Sequence, residues 1–237
     1  MIDIHTHILP ELDDGSRSVK ESLEMLGMLS KQGVDTVVAT PHFYIDNTNP
    51  NQFLEDREKS IEKLKKGLAG IKKRPRIAVG AEVQFYPGLY NMEEIDSFCL
   101  GKTKYLLVEM PFSAWTQHTY HALEHLYTER GIVPVIAHVE RYAEFQEDWA
   151  FISRLKAAHA LIQVNASFFI ERVTRRKAVT LFKKDGINFI GSDAHGVEYR
   201  TPDIDKAVEV IRKKLGVRGI DVLDYWENRI TENMTTF

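Results

Sequence analysis

The sequence predicts a single α/β domain over residues 1–237, built as a parallel barrel of seven strand–helix units. Strand-like and helix-like segments alternate along the whole chain, the rhythm of parallel strands joined by right-handed crossover helices. An open doubly wound sheet shares that rhythm, but the length of 237 residues approaches the ~250 of an eight-unit barrel and favours one that is a unit short and distorted. A hydrophobic content of 43% supplies a core, and no linker or repeat divides the chain.

Each unit has its own signal. Apolar, β-branched runs mark strands buried on both faces, and apolar residues at helical spacing mark the crossovers. Ile2 to His5 is followed by a helix over Val19 to Ser30, and Thr36 to Thr40 by Phe53 to Leu68. Arg76 to Glu82 leads to a weaker helix at Glu93 to Phe98, and Tyr105 to Met110 to a helix over His118 to Arg130. Val133 to His138 precedes Trp149 to Ala158, Leu161 to Asn165 precedes Arg172 to Lys183, and Asn188 to Ser192 precedes Ile204 to Leu215. The basic clusters Lys63 to Lys66 and Lys72 to Arg76 read as solvated surface.

A net charge of −3 offers no global positive field for nucleic acid or an anionic membrane, so an anionic ligand must be held locally. The lone Cys99 cannot form an internal disulfide, and no apolar run approaches the ~20 residues of a membrane span. A cytoplasmic protein without membrane insertion is expected.

Chemistry gathers at the strand ends. His5-Thr6-His7 closes the first strand, where alternation turns both imidazoles to one side. His42 follows the second strand, Glu82 ends the third, Glu109 lies in the fourth, His138 ends the fifth, and Asp193 and His195 follow the seventh. Only the sixth lacks a metal-ligand residue type. In a parallel barrel these ends surround one mouth, where distant residues meet. The turn Asp13-Asp14-Gly15 can add a ligand from either aspartate. By contrast, His118, His121 and His125 share a helix face with no carboxylate from another element and read as surface; His159 reads as a loop residue.

So many ligands exceed the needs of one catalytic ion and imply two or three. Their surplus positive charge suits a phosphate, and hydroxide bridging two such ions is a strong nucleophile at neutral pH. Phosphoester hydrolysis is the leading reaction. Arg141 and Arg200, in loops at the mouth, offer planar forks for phosphoryl oxygens; Arg17 is a weaker candidate. Aromatic residues in the same loops, Phe43, Tyr44, Tyr86, Phe112, Trp115, Phe168, Phe169 and Tyr199, offer flat walls for a phenyl ring. A thiolate phosphatase is excluded because Tyr105, not arginine, stands six places after Cys99, and a P-loop because Asp96 replaces its leading glycine.

The segments Ile2-Asp3-Ile4-His5-Thr6-His7, Asp13-Asp14-Gly15, Thr40-Pro41-His42, Gly80-Ala81-Glu82, His138-Val139-Glu140-Arg141 and Ser192-Asp193-Ala194-His195 resemble the PHP superfamily. More closely they resemble the bacterial tyrosine phosphatases of capsule and exopolysaccharide clusters, the CpsB/CapC family. That resemblance implies a distorted (β/α)7 TIM-like barrel, a trinuclear manganese site, and dephosphorylation of the tyrosine-rich tail of a partner kinase. It further implies one ion on His5, His7, Glu82 and Asp193, a second on Glu82, Glu109 and His138, and a third on Asp14, His42 and His195. Iron or zinc would also suit these ligands. The competing readings are a small-molecule phosphatase such as a histidinol-phosphate phosphatase, and a non-catalytic, metal-stabilised binding protein.

Overall fold

The computed structural model describes residues 1–237. Nine strands form: β1 (Ile2–Thr6), β2 (Thr36–Ala39), β3 (His42–Phe43), β4 (Arg76–Val79), β5 (Glu82–Gln84), β6 (Tyr105–Glu109), β7 (Val133–Ile136), β8 (Leu161–Asn165) and β9 (Phe189–Gly191). The eight helices are α1 (Val19–Lys31), α2 (Pro50–Gly67), α3 (Gln117–Arg130), α4 (Phe151–Ala157), α5 (Ala166–Ile170), α6 (Arg175–Lys183), α7 (Ile204–Leu215) and α8 (Val217–Thr231).

All strand pairs are parallel, in the orders β1-β2-β4 and β3-β5-β6-β7-β8-β9. These strands make seven units, because β2 with β3 and β4 with β5 are single strands interrupted by a kink. The first break falls at Thr40-Pro41, where proline has no N–H to give a ladder. The second falls at Gly80-Ala81: a Cβ on Gly80 would lie 2.8 Å from Leu100 Cδ2, so only glycine lets the strand pass. The ring closes where His7 N–H donates to Ala194 O (2.9 Å) and Asp193 N–H to His5 O (2.8 Å). The expected seven-unit distorted barrel is thus present.

Apolar side chains sort into two layers. Strand residues such as Val37, Ile77, Val108, Ile136 and Ile162 pack outward against the helices. A smaller cluster of Ile2, Ile4, Val38, Ala78, Leu107, Val135 and Phe189 fills the barrel interior, with Ile230 of α8 below it. Leu107 and Glu109 share one face of β6, so the polar site stands on this apolar floor.

Helix starts follow their caps. The Ser18 side chain accepts from Glu21 N–H at α1; Asn49 caps α2 with Pro50 in the first turn, so that helix begins three residues before the expected Phe53. Gly131, at φ +62°, ends α3. The weak helix expected at Glu93 to Phe98 is only a 3-10 turn, Ile95–Ser97. Helix α8 was not expected: Gly219 interrupts its pattern, and its buried stripe is thin. No helix is long and apolar enough to cross a membrane.

Candidate metal centre

Strand β1 carries the first two imidazoles in. Between them Thr6 turns the other way, donating its hydroxyl to Val38 O (2.8 Å). His5 Nε2 lies 3.1 Å from Glu82 Oε2, and His7 Nε2 lies 3.4 Å from the same oxygen. Glu82, fully buried at the start of β5, is the centre of the arrangement. Its Oε2 is also 3.1 Å from His42 Nδ1, and its Oε1 is 2.9 Å from His138 Nε2. Asp193 Oδ1 faces His5 Nε2 at 3.4 Å and His7 Nε2 at 3.5 Å. Asp14 Oδ1 lies 3.3 Å from His195 Nε2 and 3.6 Å from His42 Nε2, and Glu109 Oε1 lies 3.6 Å from His138 Nε2.

The fold brings all nine expected side chains to one mouth. Three groups have ligand atoms within 4.8 Å of one another: His5, His7, Glu82 and Asp193; His7, Asp14, His42 and His195; and His42, Glu82 and Glu109. The first is the expected set. In the others His7 joins the Asp14 group, and His42 joins Glu82 and Glu109, against which His138 Nε2 also lies.

The two turn aspartates take different places. The Asp13 side chain is only 5% exposed, with Oδ2 2.7 Å from His7 Nδ1, and it accepts from the backbone N–H groups of Gly15 and His42. Asp14 is exposed and faces the site.

Electrostatics fit a cation site. Burial alone would raise the carboxyl pKa values, yet neighbouring imidazoles, His5 foremost, hold Glu82 and Asp193 well below the usual carboxylate range. Burial opposes charge on His7 and His138, but Asp13 raises His7 well above its ordinary value, and Glu109 and Glu82 lift His138 to about 9. His195 is pushed down to about 4 by burial, then by the His7 and Arg200 charges. The clustered carboxylates thus favour positive charge at this place, as a cation site requires. Asp193 Oδ1 and His42 Nδ1, both turned toward the cluster, are buried without a hydrogen-bond partner, which suits them to a cation. Mixed imidazole and carboxylate donors suit such ions.

Strain marks the same place. His138, Asp193 and Arg200 have φ of +31°, +53° and +48°, a costly region for residues with a Cβ.

Arg200 donates to Asp193 Oδ2 and lies 3.0 Å from His195 Nε2; Arg141 Nη1 is 3.9 Å from Asp193 Oδ2 and half-exposed at the rim. Arg17 instead pairs with Glu21.

The aromatic expectation needs correction at four positions. Phe43 is fully buried against Phe53 and Phe98, because it alternates with His42 along β3 and so faces the helix layer. Trp115 is buried against Tyr142 and Phe151, its indole N–H donating to Pro111 O (2.9 Å). Phe168 and Phe169 are buried too. Two aromatic residues do border the centre. Tyr44 stacks on His42 and donates its hydroxyl to Glu109 Oε2 (3.2 Å). Phe112, 43% exposed, lies nearly parallel to the His138 ring with the Arg141 guanidinium 5.0 Å above it.

A cavity of about 420 Å³ lined by Asp14, His42, Tyr44 and Thr48 adjoins the centre. A larger one, about 690 Å³, lies beside Arg57, Lys65 and Phe237 and includes none of the nine residues. The helix-face histidines stay apart, His125 pairing with Glu129, and His159 stacks on Tyr127. Sequence reasoning missed Gln163 and Asn165 of β8, which bond to His5 and Asp193. Their signal was two amides at alternate positions in an otherwise apolar strand.

The family model for capsular polysaccharide synthesis, CpsB/CapC, matches residues 1–230. The tyrosine-protein phosphatase YwqE of Bacillus subtilis (strain 168) is 31% identical over 100% of this chain and 94% of its own length. The tyrosine-protein phosphatase CpsB of Streptococcus pneumoniae is 28% identical over 92% of each. A chain from the crystal structures of YwqE and CpsB, described there as unique metal-dependent tyrosine phosphatases, superposes with a TM-score of 0.86 at 28% identity, covering 100% of this chain and 96% of that one.

Proposed function

The chain belongs to the CpsB/CapC family, and from that membership we propose that it is a metal-dependent tyrosine-protein phosphatase. The observation that carries the reading is the gathering of His5, His7, Asp14, His42, Glu82, Glu109, His138, Asp193 and His195 around one buried carboxylate, Glu82.

In this proposal His5, His7, Glu82 and Asp193 would hold one ion, Glu82, Glu109 and His138 a second, and Asp14, His42 and His195 a third. Manganese is the proposed metal, supported by the mixed nitrogen and oxygen donors. Bound divalent ions supply Lewis-acid charge and a nucleophile at neutral pH. The chain's own groups bind and orient the substrate. Arg141 and Arg200 take phosphoryl oxygens and offset the charge that builds on them. Phe112 and Tyr44 flank the phenyl ring. A phenol of pKa about 10 is a good enough leaving group that no strong general acid is required of the protein.

The proposed substrate is a phosphotyrosine-bearing protein in the cytoplasm, specifically the tail of a tyrosine kinase controlling capsule or exopolysaccharide synthesis. The capsular family description supports this choice. The test is hydrolysis of a phosphotyrosyl peptide, blocked by chelator and restored by Mn2+; inactivity with every divalent ion would overturn the proposal. Catalytic efficiency on histidinol phosphate, measured alongside, is expected to be far lower.

A further inference from the structure

We infer that Gln163 and Asn165, in the one of the seven units whose strand end offers no metal-ligand residue type, are positioning residues that aim His5 and Asp193 at a shared ion and register that ion against His138. The inference rests on the metal-site reading above.

Gln163 is fully buried at the centre of β8. The His138 backbone N–H donates to its Oε1 at 2.6 Å, and because that N–H can only donate, the atom facing it must be the amide oxygen. The same oxygen lies 3.2 Å from His5 Nδ1. An amide oxygen only accepts, so His5 Nδ1 is the donor in this bond and Nε2 is the nitrogen turned toward Glu82 and Asp193. The other end of the amide, Nε2, donates to Asn165 Oδ1 (3.1 Å), which fixes the second amide in turn. Asn165 Nδ2 then donates to Asp193 Oδ2 (2.9 Å). With Oδ2 held there and by Arg200, Oδ1 is left buried, unpartnered and facing His5 and His7.

Space has been cleared for this chain of bonds. A Cβ on Gly191 of β9 would lie 2.6 Å from His5 Cβ and 2.8 Å from Gln163 Nε2. Packing alone would be met by an apolar side chain at 163; two amides each bonded at both oxygen and nitrogen add direction, which packing does not need.

Mn2+ alone is titrated calorimetrically into the metal-stripped parent, Gln163→Met, Asn165→Ala and the double variant, with element analysis for stoichiometry and melting curves of the stripped proteins. The expected result is about 10- to 100-fold weaker binding of one ion in each single variant. The double variant should be no weaker than Gln163→Met, because the two amides act in series. Gln163→Met leaves the His138 N–H without an acceptor and can fail to fold; Asn165→Ala, at the partly exposed strand end, keeps the test decisive. Variants that melt lower but bind Mn2+ with the parent's stoichiometry and affinity would overturn the positioning role alone. A parent that binds no Mn2+ would overturn the metal-site reading and this inference with it.

Discussion

Asp13 and Asp14 are neighbours in the chain and perform different tasks, and only their surroundings distinguish them. Asp13 accepts from two backbone N–H groups and fixes the His7 ring, whereas Asp14 reaches the open side of the centre. Arg141 is better placed for a transient partner than Arg200, which Asp193 and His195 already engage. We expect Arg141→Ala to lower kcat/KM on a phosphotyrosyl peptide by about 10²-fold with metal content unchanged, read by steady-state kinetics and element analysis. Phe112 is exposed, so truncation should spare the fold. Phe112→Ala is expected to reduce kcat/KM about 2- to 10-fold on aryl phosphates and to leave alkyl phosphates unaffected. Equal loss on both classes would refute an aromatic shelf.

Each strand must serve a helix-facing layer and a mouth-facing one, and the kinks adjust which residue faces which. The break before β3 carries His42 inward and Phe43 outward, so adjacent residues predicted for one loop end in opposite environments. Close approach of β1, β8 and β9 depends on Gly191. Gly191→Ala is expected to cost about 1–3 kcal/mol, measured by denaturant unfolding, because the new methyl meets His5 and Gln163. At the 3-10 turns before β6, burial pushes the Cys99 thiol up to about 12. Since the folded value is raised, the stability it contributes is whole below pH 9 and is lost as pH rises toward 12. At pH 8 the native thiol is therefore expected to resist a disulfide reagent until denaturant is added; prompt labelling of native protein would contradict this.

Across the whole molecule, the clustered acids meet in a site that only the closed barrel assembles, so ions that bind only the folded state should stabilise it. Mn2+ at 100 times its Kd is expected to add about 2.7 kcal/mol and to raise Tm by several degrees, reversed by chelator. An unchanged Tm would argue against the centre. The sequence by itself determined the seven-unit alternation and the placement of His5, His7, His42, Glu82, Glu109, His138, Asp193 and His195 at strand ends, because hydrophobic periodicity fixes the strands and parallel closure sends their ends to one rim. It could not assign Phe43 and Trp115, since each follows a mouth residue, His42 or Phe112, in the same stretch of chain and only side-chain direction buries it. Nor could it show that Gln163 and Asn165 link His5 to Asp193, or that His42 stands between two ligand groups. Those features depend on angstrom-scale distances between strands far apart in the chain, and such distances exist only once the barrel has closed.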